Sequence, residues 1–136
     1  MAGAVICKEG RDMDDREFIR AVAEETNLSH AESADLVRAT LETLAHRLSA
    51  GEVRHLALHL PEPLRESARP QSRQERFDLE EFVRRISDRT GLNLQETRNG
   101  VLAVLRTLRA VVGDEVYDHV LSQLPAEFRD AAETGS

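Results

Sequence analysis

The sequence predicts an all-α protein of two tandem helical repeats, each of ~50 residues, packed into one pseudo-twofold domain. Residues 17–65 align with residues 81–129 at an offset of 64 without a gap, and 15 of the 49 aligned positions are identical. Apolar residues recur at helical spacing in both segments, and no stretch has the alternation typical of a strand. Because a unit of ~60 residues buries only about 60% of its unfolded surface, we expect the repeats to share one core.

The periodicity divides the chain into two repeats, a linker and two tails. The linker is polar and contains Pro70, and the tails lack helical periodicity. We assign an N-terminal tail to 1–13, the first repeat to 14–66, the linker to 67–76, the second repeat to 77–130 and a C-terminal tail to 131–136. Each repeat is expected to contain three helices, A to C, and a short fourth helix, D.

Helices A and B are specified by acidic starts and polar caps. Asp14, Asp15 and Asp78 precede helix A in the two repeats, where acidic side chains suit the positive end of the helix dipole. Asn27 and Gly91 follow helix A, and both residue types tolerate a left-handed helix end. At the start of helix B each repeat has the spacing of a capping box, Ser29 with Glu32 and Asn93 with Glu96.

Helices C and D follow a shorter set of signals. Ser49 and Glu52 have the spacing of another capping box at the start of helix C. Pro61 and Pro125 end helix C, because the residue before a proline disfavours the α region, and each can begin helix D. In helix B of the second repeat, Gly100 costs about 1 kcal/mol relative to alanine, so we expect a close packing contact at its backbone.

The composition limits the classes of partner and compartment. The net charge is −7, and acidic residues outnumber basic ones in both halves, so we expect no nucleic-acid partner. The single Cys7 cannot form an internal disulfide, and we place it in the N-terminal tail. No apolar run approaches 18 residues and the start lacks a signal peptide pattern, so we expect no membrane span and a cytoplasmic location.

A repeated set of motifs resembles a known family. Each repeat contains a Phe in helix A, a Thr-x-Leu segment, a capping Glu, a Leu-Pro pair and a Leu-Arg or Phe-Arg pair: Phe18, Thr26, Leu28, Glu32, Leu60-Pro61, Leu64-Arg65 and Phe82, Thr90, Leu92, Glu96, Leu124-Pro125, Phe128-Arg129. This pattern resembles the bacterial domain-of-unknown-function family 2267 over residues 15–130. The resemblance implies an all-helical protein with two internal repeats and carries over no catalytic residue.

The recurring polar residues are candidate partner contacts, because most other recurring residues have sufficient structural roles. These candidates are Arg20 and Arg84, His55 and His119, Arg65 and Arg129. The two arginines after the Leu-Pro pairs have a structural alternative, as cations near a helix end or partners of a nearby acid. His55 and His59 have the i, i+4 spacing of metal ligands but face away from the core stripe without a third ligand, so we expect no metal site.

The function that the sequence favours is a non-catalytic helical protein-interaction module. The chain contains no phosphate-binding glycine loop, no serine-centred elbow and no Cys/His pair, so we expect no enzymatic activity and no cofactor. The alternative is a small-ligand-binding protein with an apolar pocket between the repeats. A deep pocket with converging polar groups would favour that alternative, whereas an exposed apolar patch would favour a protein partner. Homo-oligomerisation and the identity of the partner stay open.

Overall fold

The computed structural model describes residues 13–134, and these fold into eight helices without a strand. The all-α prediction is confirmed. Residues 1–12 of the predicted tail at 1–13, which include Cys7, lie outside the described residues. The helices are α1 Asp15–Glu25, α2 His30–Arg47, α3 Ala50–Leu58, α4 Glu62–Arg65, α5 Leu79–Thr90, α6 Leu94–Val112, α7 Asp114–Ser122 and α8 Ala126–Thr134. Each helix from α5 to α8 begins 64 residues after its counterpart among α1 to α4.

The helix starts have the local hydrogen bonds that the spacing predicts. At α2, the Glu32 amide donates to Ser29 Oγ over 3.1 Å and the Ser29 amide donates to Glu32 Oε1 over 2.9 Å. Asn93 and Glu96 form the same reciprocal pair at α6, so the two capping boxes predicted for helix B are confirmed. A further capping box, between Asp14 and Glu17, begins α1. These bonds satisfy backbone amides that have no partner inside the helix.

The start of α3 corrects one prediction. The Glu52 amide donates to Ser49 Oγ, but the reciprocal bond of a capping box is replaced by one from the other repeat. The Ser49 amide donates to Gln123 Oε1 over 2.8 Å, and Gln123 Nε2 donates to Ser49 Oγ over 3.2 Å. The amide that would hold the Glu52 carboxylate is therefore already satisfied by a side chain that follows α7.

The end of α1 corrects a second prediction. Gly91 ends α5 in the left-handed region at φ 81°, but no residue other than glycine has a positive φ within 13–134, so Asn27 does not. Thr26 instead turns extended, and its Oγ1 donates to the Val22 carbonyl over 3.0 Å. That hydroxyl satisfies an end carbonyl. Gly113, at φ 89°, makes the single-residue turn from α6 to α7.

The two repeats contribute to one apolar core. α1 packs against α2 and α6, α5 packs against α6 and α2, α2 contacts α6, and α3 lies against α7. The fully buried Phe18 and Phe82 belong to the same core cluster, which holds residues of all eight helices. Phe82 packs edge-to-face on Phe128, with ring centroids 5.2 Å apart. The core is therefore shared, as the size of each repeat predicts.

The second repeat and the linker hold more ordered structure than the sequence predicts. α8 continues to Thr134, past the predicted end at Asp130, because Ala132 is buried and Ala131 packs against the core. The start of the predicted linker is also packed, since Ser67 and Ala68 are buried. The small side chains of these segments let the backbone approach the core closely. The polar residues around them in the sequence gave no indication of this packing.

Gly100 makes the close contact that its place in helix B predicts. A Cβ built on Gly100 would overlap Leu36 Cδ2 and would lie 3.2 Å from Leu36 Cγ. Leu36 is fully buried, and its position in the first repeat is the equivalent of Gly100 in the second, since 36 + 64 = 100. The two equivalent positions thus meet between α2 and α6, one as a knob and the other as its recess.

Candidate functional site

A groove lies where the N-terminal turns of α5 and α6 meet α8. It consists of two adjoining depressions of about 650 Å³ and 480 Å³, both lined by Asp78, Glu80 and Arg98. We call it the α5–α6–α8 groove, and its remaining lining residues are Leu79, Glu81, Val83, Arg84, Leu94, Gln95, Glu127, Asp130 and Ala131. Its size is in the range of small-molecule pockets, but it is open to solvent along its length.

Leu94 gives the groove an exposed apolar surface. As the first residue of α6, it follows the cap residue Asn93 and is 59% exposed. Among the described residues, the large apolar side chains exposed to this degree are Leu94 and Leu58, which lies on α3 and is 70% exposed. A single exposed leucine needs no explanation on a protein surface, but Leu94 lies inside a concave site and Leu58 does not line the groove.

The charged side chains of the groove differ in how they are engaged. Glu81 accepts hydrogen bonds from Arg84 and Arg85, and these bonds lower the pKa of Glu81 from 4.5 to about 2. Glu127 Oε2 accepts from the Leu79 amide over 2.9 Å and so completes the start of α5. Glu80 and Arg98 make no hydrogen bond or ion pair with any residue of 13–134, so both are available to a partner.

The comparison with known proteins gives a family and no function. The sequence profile of a family described as an uncharacterised conserved protein, DUF2267, matches residues 15–131, which is most of the chain. The chain belongs to the DUF2267 family. The resemblance seen in the repeated motifs is thereby confirmed. No curated protein gives a significant match to this chain.

Of the six partner-contact residues that the sequence of this DUF2267 protein predicts, the groove contains Arg84 alone. Arg84 is bound to Glu81 and Asp88. Arg65 donates from Nε to the Leu60 carbonyl over 3.0 Å, and Arg129 pairs with Asp118 over 3.3 Å. These bonds are the structural alternative that the sequence left open. The remaining three, Arg20, His55 and His119, are exposed and lie outside the groove.

The two histidines at the end of α3 lie next to each other without a third metal-ligand side chain among the described residues. His55 and His59 pack edge-to-face with ring centroids 5.3 Å apart, and His59 Nδ1 lies 3.1 Å from the His55 carbonyl oxygen. Glu52 Oε2 lies 3.9 Å from His55 Nδ1. Within residues 13–134, no group of three or more His, Cys, Asp or Glu side chains is arranged to hold a metal ion.

The junction between the repeats offers polar depressions. One of about 340 Å³ is lined by Thr43, His46, Glu75, Arg85, Asp88 and Arg89. Glu75 lies 3.4 Å from His46 and pairs with Arg85 over 2.9 Å, while Arg89 pairs with Glu42. Five of the six lining side chains are charged or titratable, whereas a small-ligand site has a mostly apolar lining.

The helices of residues 13–134 are each too short or too polar to cross a membrane.

The sequence did not single out Leu94, Glu80 or Arg98. Recurrence between the repeats was the criterion for candidate residues, and these positions do not recur. Their first-repeat equivalents are His30, Arg16 and Ala34. Leu94 lies in phase with the buried stripe of Val101, Leu105 and Leu108, at i, i+7, i+11 and i+14, so helical periodicity predicts its burial and gives no signal of its exposure.

Proposed function

We propose that this DUF2267 protein is a non-catalytic helical interaction module that docks a protein segment in the α5–α6–α8 groove. Leu94 supports this most directly, because more than half of a large apolar side chain meets solvent inside a concave site. Apolar surface rimmed by charged residues is typical of protein-binding sites. An amphipathic helix that lays its apolar face in the groove would cover Leu94 and the partly buried Ala131.

The charge of the groove favours a basic partner. Five acidic and two basic side chains line it. Arg84 and Glu81 are paired with each other, so their charges compensate, and the remaining lining has four acidic side chains and Arg98. Lysine or arginine side chains beside the apolar face of the partner would meet Glu80 and the other acids at the rim. Such complementarity raises the association rate and selects against acidic partners.

We also propose that the two repeats are related by a pseudo-twofold axis that passes between α2 and α6. The helix starts at a constant offset of 64 support it, as does the contact between the equivalent residues Leu36 and Gly100. The packing of α1 on α6 has its counterpart in the packing of α5 on α2. The groove breaks this symmetry, because Leu94 and Arg98 replace His30 and Ala34.

Fluorescence anisotropy with two synthetic helical peptides tests the docking proposal. Both carry leucine along one face, and the other positions are lysine in one peptide and glutamate in the other. We expect the lysine peptide to bind the protein and the glutamate peptide to bind much more weakly. Leu94→Ser should weaken binding of the lysine peptide about tenfold or more, because burial of a leucine contributes about 1.5–3 kcal/mol.

Leu58→Ser is the matched control, since it removes the other highly exposed leucine at a site outside the groove. Glu80→Arg, which introduces the residue of the first repeat, should also weaken binding of the lysine peptide and should make it less sensitive to salt. Equal losses for the two leucine variants, or equal binding of the two peptides, would rule out the groove as the docking site.

A further inference from the structure

We propose that the α2–α6 interface is complementary only between a first repeat and a second repeat, and we call this property a directional lock. Each repeat therefore binds the opposite repeat and not a copy of itself, and a second molecule of this protein can supply that opposite repeat. The proposed partner is thus the complementary half of another molecule, in a domain-swapped dimer. This inference concerns the α2–α6 interface; it rests on the proposed pseudo-twofold relation of the repeats and is independent of the α5–α6–α8 groove.

The contact between Leu36 and Gly100 gives the lock its direction. A leucine knob on α2 fills the recess left by the missing side chain on α6. Two first repeats would bring Leu36 against Leu36, which overfills the same space. Two second repeats would bring Gly100 against Gly100, which leaves a void. Both errors destabilise a close-packed interface, and the mixed pairing avoids them.

The hydrogen bonds between the repeats are also directional, because the polar side chains that form them at the C-terminal end of α2 are absent from the second repeat. Arg47 on α2 donates from Nε to the Phe77 carbonyl and from Nη1 to the Gln123 carbonyl, each over 3.0 Å. Gln123 also exchanges two hydrogen bonds with Ser49. The equivalents of Arg47 and Ser49 in the second repeat are Val111 and Gly113, whose side chains offer neither donor nor acceptor. These bonds therefore cannot form in the reverse sense or between two second repeats.

The linker can serve as the hinge of an exchange. Its end is tied to α2, since Gln74 Nε2 donates to the Arg47 carbonyl over 2.9 Å and the Glu75 amide donates to the His46 carbonyl over 2.8 Å. Residues 69–73, by contrast, make only local bonds, from Arg69 to Glu66 and from Gln71 to Arg69. A segment of this kind can open while residues 74–77 and α5 keep their contacts with an α2 helix, in the same or another molecule.

Complementation between two full-length variants tests the proposal. Leu36→Gly removes the knob and Gly100→Leu fills the recess, so each variant alone should unfold at a lower temperature than the original protein. In a swapped dimer of the two variants, one junction pairs the original Leu36 with the original Gly100, and the other pairs a glycine with a leucine in reversed positions. We expect co-refolding to give a one-to-one mixed dimer, detected by native mass spectrometry, and each variant alone to give little or none.

The double variant Leu36→Gly/Gly100→Leu keeps the proposal testable if a single variant does not fold. Because it moves the knob to the equivalent position on α6, it should recover more than half of the melting temperature lost by the more damaged single variant. Additive losses in the double variant would show that the two positions do not form a knob and recess. Failure of the mixed dimer to appear, or dimers of equal yield from each variant alone, would overturn recognition between copies.

Discussion

Glu52 brings a carboxylate against the core of the first repeat at the position where the second repeat has the buried Val116. Its side chain is 11% exposed, and Oε2 is buried without a hydrogen-bond partner within 13–134. The nearest cationic group is His55, whose Nδ1 lies 3.9 Å away and is charged only when protonated. A buried polar atom without a hydrogen-bond partner lowers the free energy of unfolding, because the atom loses its hydration when the protein folds.

Substitution of Glu52 by valine should therefore raise the free energy of unfolding, by about 1–3 kcal/mol, since it removes the unsatisfied oxygen and restores the residue type of the second repeat. Urea denaturation measures the change. Glu24→Val, at an exposed position of α1, is the control and should change the stability by less than about 0.5 kcal/mol. A loss of stability in Glu52→Val would mean that the carboxylate has a stabilising partner.

The lowered pKa of Glu81 predicts that the protein loses stability in acid. Its pKa in the folded protein is lowered to about 2 from 4.5 by hydrogen bonds from Arg84 and Arg85. The stabilisation is therefore complete above about pH 4.5 and is lost as the pH falls toward about 2. In Glu81→Gln, the melting temperature should change less with pH in this window, and the difference from the original protein should be largest at neutral pH. Glu80→Gln, which has no such partners, should retain the full pH dependence.

At the scale of the element, α3 depends on a residue outside its own sequence. Gln123, which follows α7, accepts from the Ser49 amide and donates to Ser49 Oγ, so the second repeat completes the helix start. Among the described residues, the polar and ring contacts of His59, its equivalent in the first repeat, are to the His55 carbonyl and the His55 ring. The equivalent positions after α3 and α7 thus have different roles: Gln123 forms hydrogen bonds between the repeats, and His59 forms its hydrogen bond within the first repeat.

Gln123→Ala should lower the free energy of unfolding by about 1–2 kcal/mol, because it removes two hydrogen bonds and leaves a helix-end amide to find another partner. His59→Ala is the matched control and should have the smaller effect. Hydrogen exchange should show faster exchange of the first-turn amides of α3 in Gln123→Ala. Equal destabilisation by the two variants would contradict a specific role of Gln123 at the junction.

At the scale of the whole molecule, Arg47 ties three segments together. Its side chain reaches from α2 to the carbonyls of Phe77 and Gln123, and its own carbonyl accepts from Gln74. The residue is 8% exposed and has no carboxylate partner within 13–134. Desolvation by burial, together with the charge of Arg76, lowers the pKa of Arg47 below its ordinary value. The guanidinium is held in place by backbone carbonyls, which it joins across the junction of the repeats.

Arg47→Met should lower the free energy of unfolding by about 2–4 kcal/mol, because the methionine keeps the apolar stem and leaves two carbonyls without a partner. Arg47→Lys retains the charge but lacks the planar fork that reaches both carbonyls, so it should restore only part of the stability. Thermal unfolding followed by circular dichroism measures both. Stability equal to that of the original protein in Arg47→Met would show that water replaces the lost donors.

The sequence by itself determined the helices, their order and the caps at the starts of α2 and α6. Ser29 with Glu32 and Asn93 with Glu96 form bonds over three residues, so their spacing is sufficient to predict them. The repeat offset predicted the matching helix starts for the same reason, because local signals are copied with the chain. Gly100 also carried a local signal, since a glycine inside a helix is costly unless something packs against it.

Tertiary structure decided which residues meet. Gln123 satisfies Ser49 at a separation of 74 residues, and no spacing rule within one helix predicts such a bond. The contact of Leu36 with Gly100 is likewise not predictable from their spacing, because the packing of α2 on α6 brings these two equivalent positions together. The exposure of Leu94 likewise depends on where α5 and α8 end around it. Short-range hydrogen bonds and apolar periodicity depend on residues close together in the sequence, so the sequence predicts them. Contacts between helices depend on how the helix faces pack together in space.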